Sequence, residues 1–246
     1  MNLEKYQQYS RIARGLEKAD LVLKDARIVN VFTEEIIRGD IAIQDGIIAG
    51  IGSFHGKEER DLAGRYVCPG FIDSHLHLES TLVTPAELVT AASRHGTTTF
   101  IVDPHESANV SGLAGIDYIL DQTEDVKANV YVMMPSCVPA TAIDDNGCTL
   151  TAEDMAPYLH NSRILGLGEV MDSISVVQGE KSMHDKLELF EGRIRDGHAP
   201  FLEEGDLQAY AMAGIATDHE CSFFDYAMRE RRNGLTILVR EGSAAR

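Results

Sequence analysis

From residue 66 onward the chain repeats one unit: a short apolar run suited to a buried strand, a polar residue or two at its end, then a stretch at helical spacing. The strand-like runs are Tyr66–His77, Thr97–Asp103, Val130–Met134, Ile164–Glu169, Arg193–His198, Gly214–His219 and Thr236–Arg240. Helical spacing is read over Pro85–His95, Ser111–Gln122, Ala152–Leu159, Met183–Glu191, Asp206–Ala213 and Phe223–Asn233. Strands separated by helices have room for the crossover that parallel pairing needs, so the pattern predicts an α/β fold with a parallel sheet. Seven such beats suit a (β/α)8 barrel lacking its last strand, with an open doubly wound sheet as the alternative on periodicity alone.

The first barrel strand carries the densest chemistry. In Asp73-Ser74-His75-Leu76-His77-Leu78 the two-residue period of a strand puts His75 and His77 on one face and the leucines on the other. A His-x-His pair alone is as readily structural as functional, because histidines also cap and pack. Later strands, however, end in Glu169, His198 and His219. In a barrel all of these fall at the C-terminal end of the strands, where barrel sites are built. Imidazole nitrogens with a carboxylate between them suit zinc, iron or manganese, and spacing alone does not choose among these. His105 and Glu106 after the second strand, and Arg240, Glu241 and Ser243 after the seventh, are placed to touch a substrate, and Glu220 beside His219 to touch a proton or substrate.

Ahead of the barrel, Tyr6, Tyr9, Ile12 and Leu16 recur at helical spacing, which predicts a helix within 1–19. Residues 20–65 read as a small β domain of short strands, with Asp45-Gly46 as a hairpin turn and Ser53–Gly64 as a polar connection. The barrel then occupies 66–246. Net charge is -17, from 22 Lys+Arg against 39 Asp+Glu, which argues against nucleic acid and against an anionic membrane surface as partners. Cys68, Cys137, Cys148 and Cys221 are widely spaced without a C-x-x-C, so neither a disulfide framework nor a zinc ribbon is indicated. With no signal-peptide-like or membrane-length apolar run, the expected location is the cytoplasm.

Taken together, several segments carry a family resemblance: Pro69-Gly70-Phe71-Ile72-Asp73-Ser74-His75-Leu76-His77, Asp103-Pro104-His105-Glu106, Met134-Pro135-Ser136-Cys137, Gly166-Leu167-Gly168-Glu169-Val170-Met171, Asp196-Gly197-His198-Ala199-Pro200, Asp218-His219-Glu220-Cys221 and Arg240-Glu241-Gly242-Ser243. In this order they resemble the amidohydrolase superfamily and, within it, the bacterial adenine deaminases. The resemblance implies a binuclear divalent centre, manganese or iron before zinc, with His75 and His77 on one ion, His198 and His219 on the other, and Glu169 bridging. It implies activation of water for attack on C6 of adenine, releasing ammonia and leaving hypoxanthine, as in purine salvage. Glu169 and Glu220 are the carboxylates expected to act in that chemistry. An aspartate on an eighth strand, expected in the family, has no counterpart in these 246 residues. The barrel and the β domain are therefore both expected to be incomplete, with association into a homo-oligomer or with a missing C-terminal half, and activity of the chain alone is in question. Two other readings stay open: an amidohydrolase acting on a cyclic amide, and a non-catalytic subunit that binds metal or purine.

Overall fold

The parallel sheet demanded by the strand and helix alternation is present, and it curls. The computed structural model describes residues 1–141 and 143–240, and the chain divides into two units, Met1–Pro69 and Gly70–Arg246.

In the first unit α1 (Leu3–Ala13) precedes β1 (Ala19–Asn30), β2 (Glu35–Gln44), β3 (Ile47–Gly52), β4 (Gly56–Asp61) and β5 (Tyr66–Val67). The sheet runs β3-β2-β1-β4, with β5 also on β1; β2 and β3 are antiparallel and β4 and β5 parallel to their neighbours. Asp45 and Gly46 both have positive φ, 51° and 74°, as a tight hairpin turn between twisted strands requires. Ile12 of α1 packs with Ala19, Val22 and Ala42, so the helix shares the core of this unit.

Two expectations change here. The polar connection 53–64 contains β4, because its backbone pairs with β1 while its side chains face water; alternation of apolar residues could not reveal it. Tyr66 and Val67, read as the head of the first barrel strand, pair instead with Arg27 and Ile28 of β1 and belong to the first unit.

The second unit runs β6 (Phe71–Leu76), α2 (Pro85–Ser93), β7 (Thr97–Val102), α3 (His105–Ser111), α4 (Leu113–Gln122), β8 (Asn129–Met134), α5 (Ala152–Met155), β9 (Ile164–Val170), α6 (Ser173–Gln178), α7 (Lys181–Leu189), β10 (Ile194–Gly197), α8 (Glu204–Met212), β11 (Thr217–Asp218), α9 (Phe224–Arg232) and β12 (Thr236–Ile237). Strands β6 to β10 pair in sequence order, every pair parallel, which is the incomplete barrel the sequence predicts. The parallel pair β11 and β12 continues from them through the Ala216 N–H, which donates to Arg195 O at 2.9 Å. Phe100, Val102, Val130, Val132, Met134 and Leu167 lie buried in one continuous core with the helices around them. At about 1.5–3 kcal/mol for each large apolar side chain, this burial holds the curl.

The two short helices α3 and α6 were not foreseen. Asp172 caps α6 by accepting from the Ser175 N–H at 3.0 Å and the Ser175 hydroxyl at 2.6 Å. The first turn of α3 is capped from another element: Oε1 of Glu79 accepts the N–H groups of Glu106 and Ser107 at 3.1 and 3.2 Å. A capping box formed by Thr151 and Asp154 opens α5. All four cysteines are unpaired, and no helix among the described residues is long and apolar enough to cross a membrane.

Glu230 on α9 is fully enclosed and accepts the Cys221 thiol. Burial pushes its carboxyl up to about 7 from an ordinary 4.5, with the nearby Asp218 adding to the rise. The folded chain therefore binds this proton more tightly than the unfolded chain, and stability falls as pH rises from about 4.5 to about 7. Glu230→Gln is expected to remove that fall. Urea denaturation should find it roughly 1–3 kcal/mol more stable than the parent at mildly alkaline pH and equal to it below the ordinary carboxyl range.

Candidate metal centre

Four strands of the curl bring metal-capable groups to the same end. From β6 and the residue after it come His75 and His77; from β9, Glu169; after β10, His198; after β11, His219. Leu78, just after the two histidines, is fully buried and anchors the segment.

Glu169 lies at the middle, buried, and its two oxygens face different pairs of imidazoles. Oε1 is 3.2 Å from His75 Nε2 and 2.9 Å from His77 Nε2. Oε2 is 2.7 Å from His198 Nδ1 and 3.3 Å from His219 Nε2. The rings crowd one another: the two Nε2 atoms of His75 and His77 are 3.2 Å apart, and His75 stacks on His219 with centroids 3.8 Å apart.

Burial alone would favour the neutral acid, but the imidazoles around it, His198 first, hold the Glu169 carboxyl far below the ordinary carboxylate range. The same attraction acts in reverse on the rings. Burial disfavours a charged His75, yet Asp196 and Glu169 outweigh it and raise His75 to about 10; Asp103 and Glu169 raise His105 to about 9.

Several polar atoms in this cluster lack a hydrogen-bond partner among the described residues although they are buried: Oε1 of Glu169, both ring nitrogens of His219, Nδ1 of His105 and Oδ1 of Asp103. Leaving such atoms unpaired costs of order 1–3 kcal/mol each, and native folds rarely tolerate it without a reason. Convergent imidazole nitrogens around a shared carboxylate fit divalent ions, and three-donor sets form on both sides of Glu169: His75 and His77 with it, and His198 and His219 with it.

The other expected site residues fall variously. Glu220 is at the edge of the centre, 3.6 Å from His219 Nε2 and 2.6 Å from Arg240 Nη2. Arg240 borders an open cleft of about 690 Å³ whose walls include His75, His77 and His219 together with Leu82, Leu238 and Val239. His105, read as a substrate contact, instead approaches the metal-capable groups: its Nδ1 is 3.7 Å from both Glu169 Oε1 and Asp103 Oδ1. Glu106 is not brought to the centre. The start of α3 turns it outward, where its Oε2 accepts the Ser80 hydroxyl at 2.5 Å and it faces a groove with Val110 and Tyr118. Glu241 and Ser243 lie outside the described residues.

Three aspartates escaped the sequence reading. Asp103 accepts the Glu169 N–H on Oδ2 at 2.7 Å, and its carbonyl is 2.8 Å from His77 Nδ1. Asp196 reaches His75, and Asp218 accepts the N–H groups of Ala199 and Glu220 at 2.6 and 2.7 Å. A signal existed: Asp73, Asp103 and Asp196 each precede a histidine by two residues, on the same strand face or just past its end.

The pattern described as the amidohydrolase family matches residues 66–240. The adenine deaminase of Desulfitobacterium hafniense (strain Y51) is 57% identical over all 246 residues, which is 43% of its own length, and that of Clostridium acetobutylicum is 49% identical over 95% of this chain and 41% of its own length. The chain thus spans about two fifths of the length of the curated relatives it matches. Among solved structures, an N-acyl-D-glutamate deacylase from Bordetella bronchiseptica complexed with zinc superposes with a TM-score of 0.61 at 18% identity, covering 90% of this chain and 58% of that one. A 5-methylcytosine deaminase from Klebsiella pneumoniae gives 0.54 at 15% identity, covering 88% and 64%. At such identities these two establish the fold alone. The matched pattern takes in every strand of the curl, including the four that supply His75, His77, Glu169, His198 and His219, and the chain belongs to the amidohydrolase family.

Proposed function

We propose that this chain carries the metal-binding part of an adenine deaminase site, in which His75 and His77 hold one divalent ion, His198 and His219 a second, and Glu169 bridges them. The observation that carries this reading is the division of the Glu169 oxygens, one facing each histidine pair. The substrate assignment rests on the relatives, whose names are adenine deaminase along the whole of this chain. The mixed imidazole and carboxylate donors suit manganese, iron and zinc alike, and manganese or iron is placed ahead of zinc on the resemblance to adenine deaminases.

A bound pair of such ions supplies Lewis acidity, making water a nucleophile near neutral pH. The remaining work falls to the chain's own groups. Glu169 stays ionised and balances charge at the centre. Glu220, held by the Arg240 guanidinium at 2.6 Å, is the carboxylate placed to take up the proton of the attacking water and pass it to the purine ring or the leaving amine. The cleft beside His75, His77 and His219 is large enough for a purine, with Leu82, Leu238 and Val239 offering apolar contact to its faces. Residues supplied by the rest of a full-length relative complete the site.

The test is ammonia release from adenine by the purified chain loaded with manganese, iron or zinc, alone and after adding the C-terminal segment of the Desulfitobacterium hafniense adenine deaminase. Activity on complementation, with adenine preferred over cyclic amides, is the expected result. A folded, metal-loaded complex that turns over a cyclic amide and leaves adenine untouched would overturn the substrate assignment.

A further inference from the structure

Asp196 stands at the end of β10 and His75 on β6, at the two ends of the five-stranded order, yet they meet across the curl. Asp196 Oδ2 is 2.9 Å from His75 Nδ1. The carboxyl is only 4% exposed and is held from its other side: Oδ1 accepts the Gly197 N–H at 3.1 Å and the Thr217 hydroxyl. With Oδ1 taking two donors, Oδ2 is left to the imidazole.

The partner of His75 is unlike those of the other histidines. His77 turns its Nδ1 to a neutral backbone carbonyl, that of Asp103. His198 points its Nδ1 at Glu169 itself. His75 alone among these has a carboxyl group behind the nitrogen that faces away from Glu169. A carboxylate there fixes which nitrogen carries the proton, locks the ring plane and raises the basicity of the other nitrogen.

We propose that Asp196 is a positioning residue for His75: it takes the Nδ1–H, leaving the Nε2 lone pair aimed beside Glu169 Oε1, and so strengthens metal binding at the His75 and His77 position over the His198 and His219 position. This rests on the metal reading of the centre. It makes the two positions unequal through a residue on neither ligand's own strand.

Zinc titration of the purified chain against a competing chelator tests it, alongside nitrogen–proton correlation spectra of the zinc-loaded chain. The parent should take up two ions and show a strongly deshielded Nδ1–H on His75. Asp196→Asn should weaken one of the two ions by about 10–100-fold, leave the other within a few-fold, and lose the deshielded proton. Should that variant fail to fold, Thr217→Val, which removes the hydroxyl seating Oδ1, is read the same way with a several-fold loss expected. Two ions bound at parent affinity in a folded variant, or a deshielded proton that survives, overturns this inference and leaves the metal reading standing. A parent chain that takes up no zinc overturns both.

Discussion

Glu169→Ala is expected to leave the chain unable to hold two divalent ions together. Among the described residues the carboxylate is the only group that meets both histidine pairs, at 2.9 Å from His77 on one oxygen and 2.7 Å from His198 on the other. On the proposed two-ion reading its loss takes a ligand from each ion, and it removes the buried negative charge that keeps four imidazoles compatible at close range. Removing a partner behind a metal ligand costs 10–100-fold in affinity, so removing a ligand shared by two ions should exceed about 100-fold. Metal content after gel filtration is the direct readout, expected to fall from two ions per chain to one or none, with deaminase activity of the complemented protein falling to background. Glu169→Gln, which keeps one strong acceptor oxygen, should retain one ion better than the alanine variant. Two ions retained by Glu169→Ala would remove the bridging role.

The second large effect is expected one residue earlier. A methyl group at Gly168 would land on the carboxyl of Asp103, against both of its oxygens. Asp103 cannot withdraw easily, being fully buried and tied by Oδ2 to the Glu169 N–H at 2.7 Å. Gly168→Ala should therefore cost about 1–3 kcal/mol in urea denaturation through overpacking. By pushing Asp103 off the Glu169 backbone it should also weaken metal binding by roughly 10–100-fold. The control is Gly205→Ala on α8, where the added methyl meets nothing within 4 Å. There a better helix former should leave stability unchanged or raise it by up to about 1 kcal/mol. Equal behaviour of the two variants would show that the glycine is not set by the approach of Asp103.

The contrast between these glycines marks where sequence reading stops. Gly166-Leu167-Gly168-Glu169 was legible as a strand ending in a carboxylate, because a short apolar run closed by a polar residue has few other uses. That its glycines are small because Asp103 and the Ile194 backbone pass close by is a fact about neighbouring strands. Likewise, Asp103-Pro104-His105-Glu106 reads as a turn. Only with Glu79 in place, accepting two N–H groups from a separate segment, does it become the start of α3, which carries His105 inward and Glu106 outward.

By itself the sequence determined the order of strands and helices apart from β4, α3 and α6, the parallel pairing, the hairpin at Asp45-Gly46 and the five residues that gather at one end of the curl. All of these follow from periods of two and 3.6 residues and from the turn preferences of single residues, which are local. Tertiary structure alone decided that β4 pairs with β1 despite its polar side chains, that Tyr66 and Val67 join the first unit, that Asp103 and Asp196 stand behind histidines, and that Asp218 holds the Ala199 and Glu220 backbones. Those outcomes depend on backbone hydrogen bonds and buried charges meeting across elements far apart in the chain. Spacing along one strand carries no record of which carboxyl group will arrive from another.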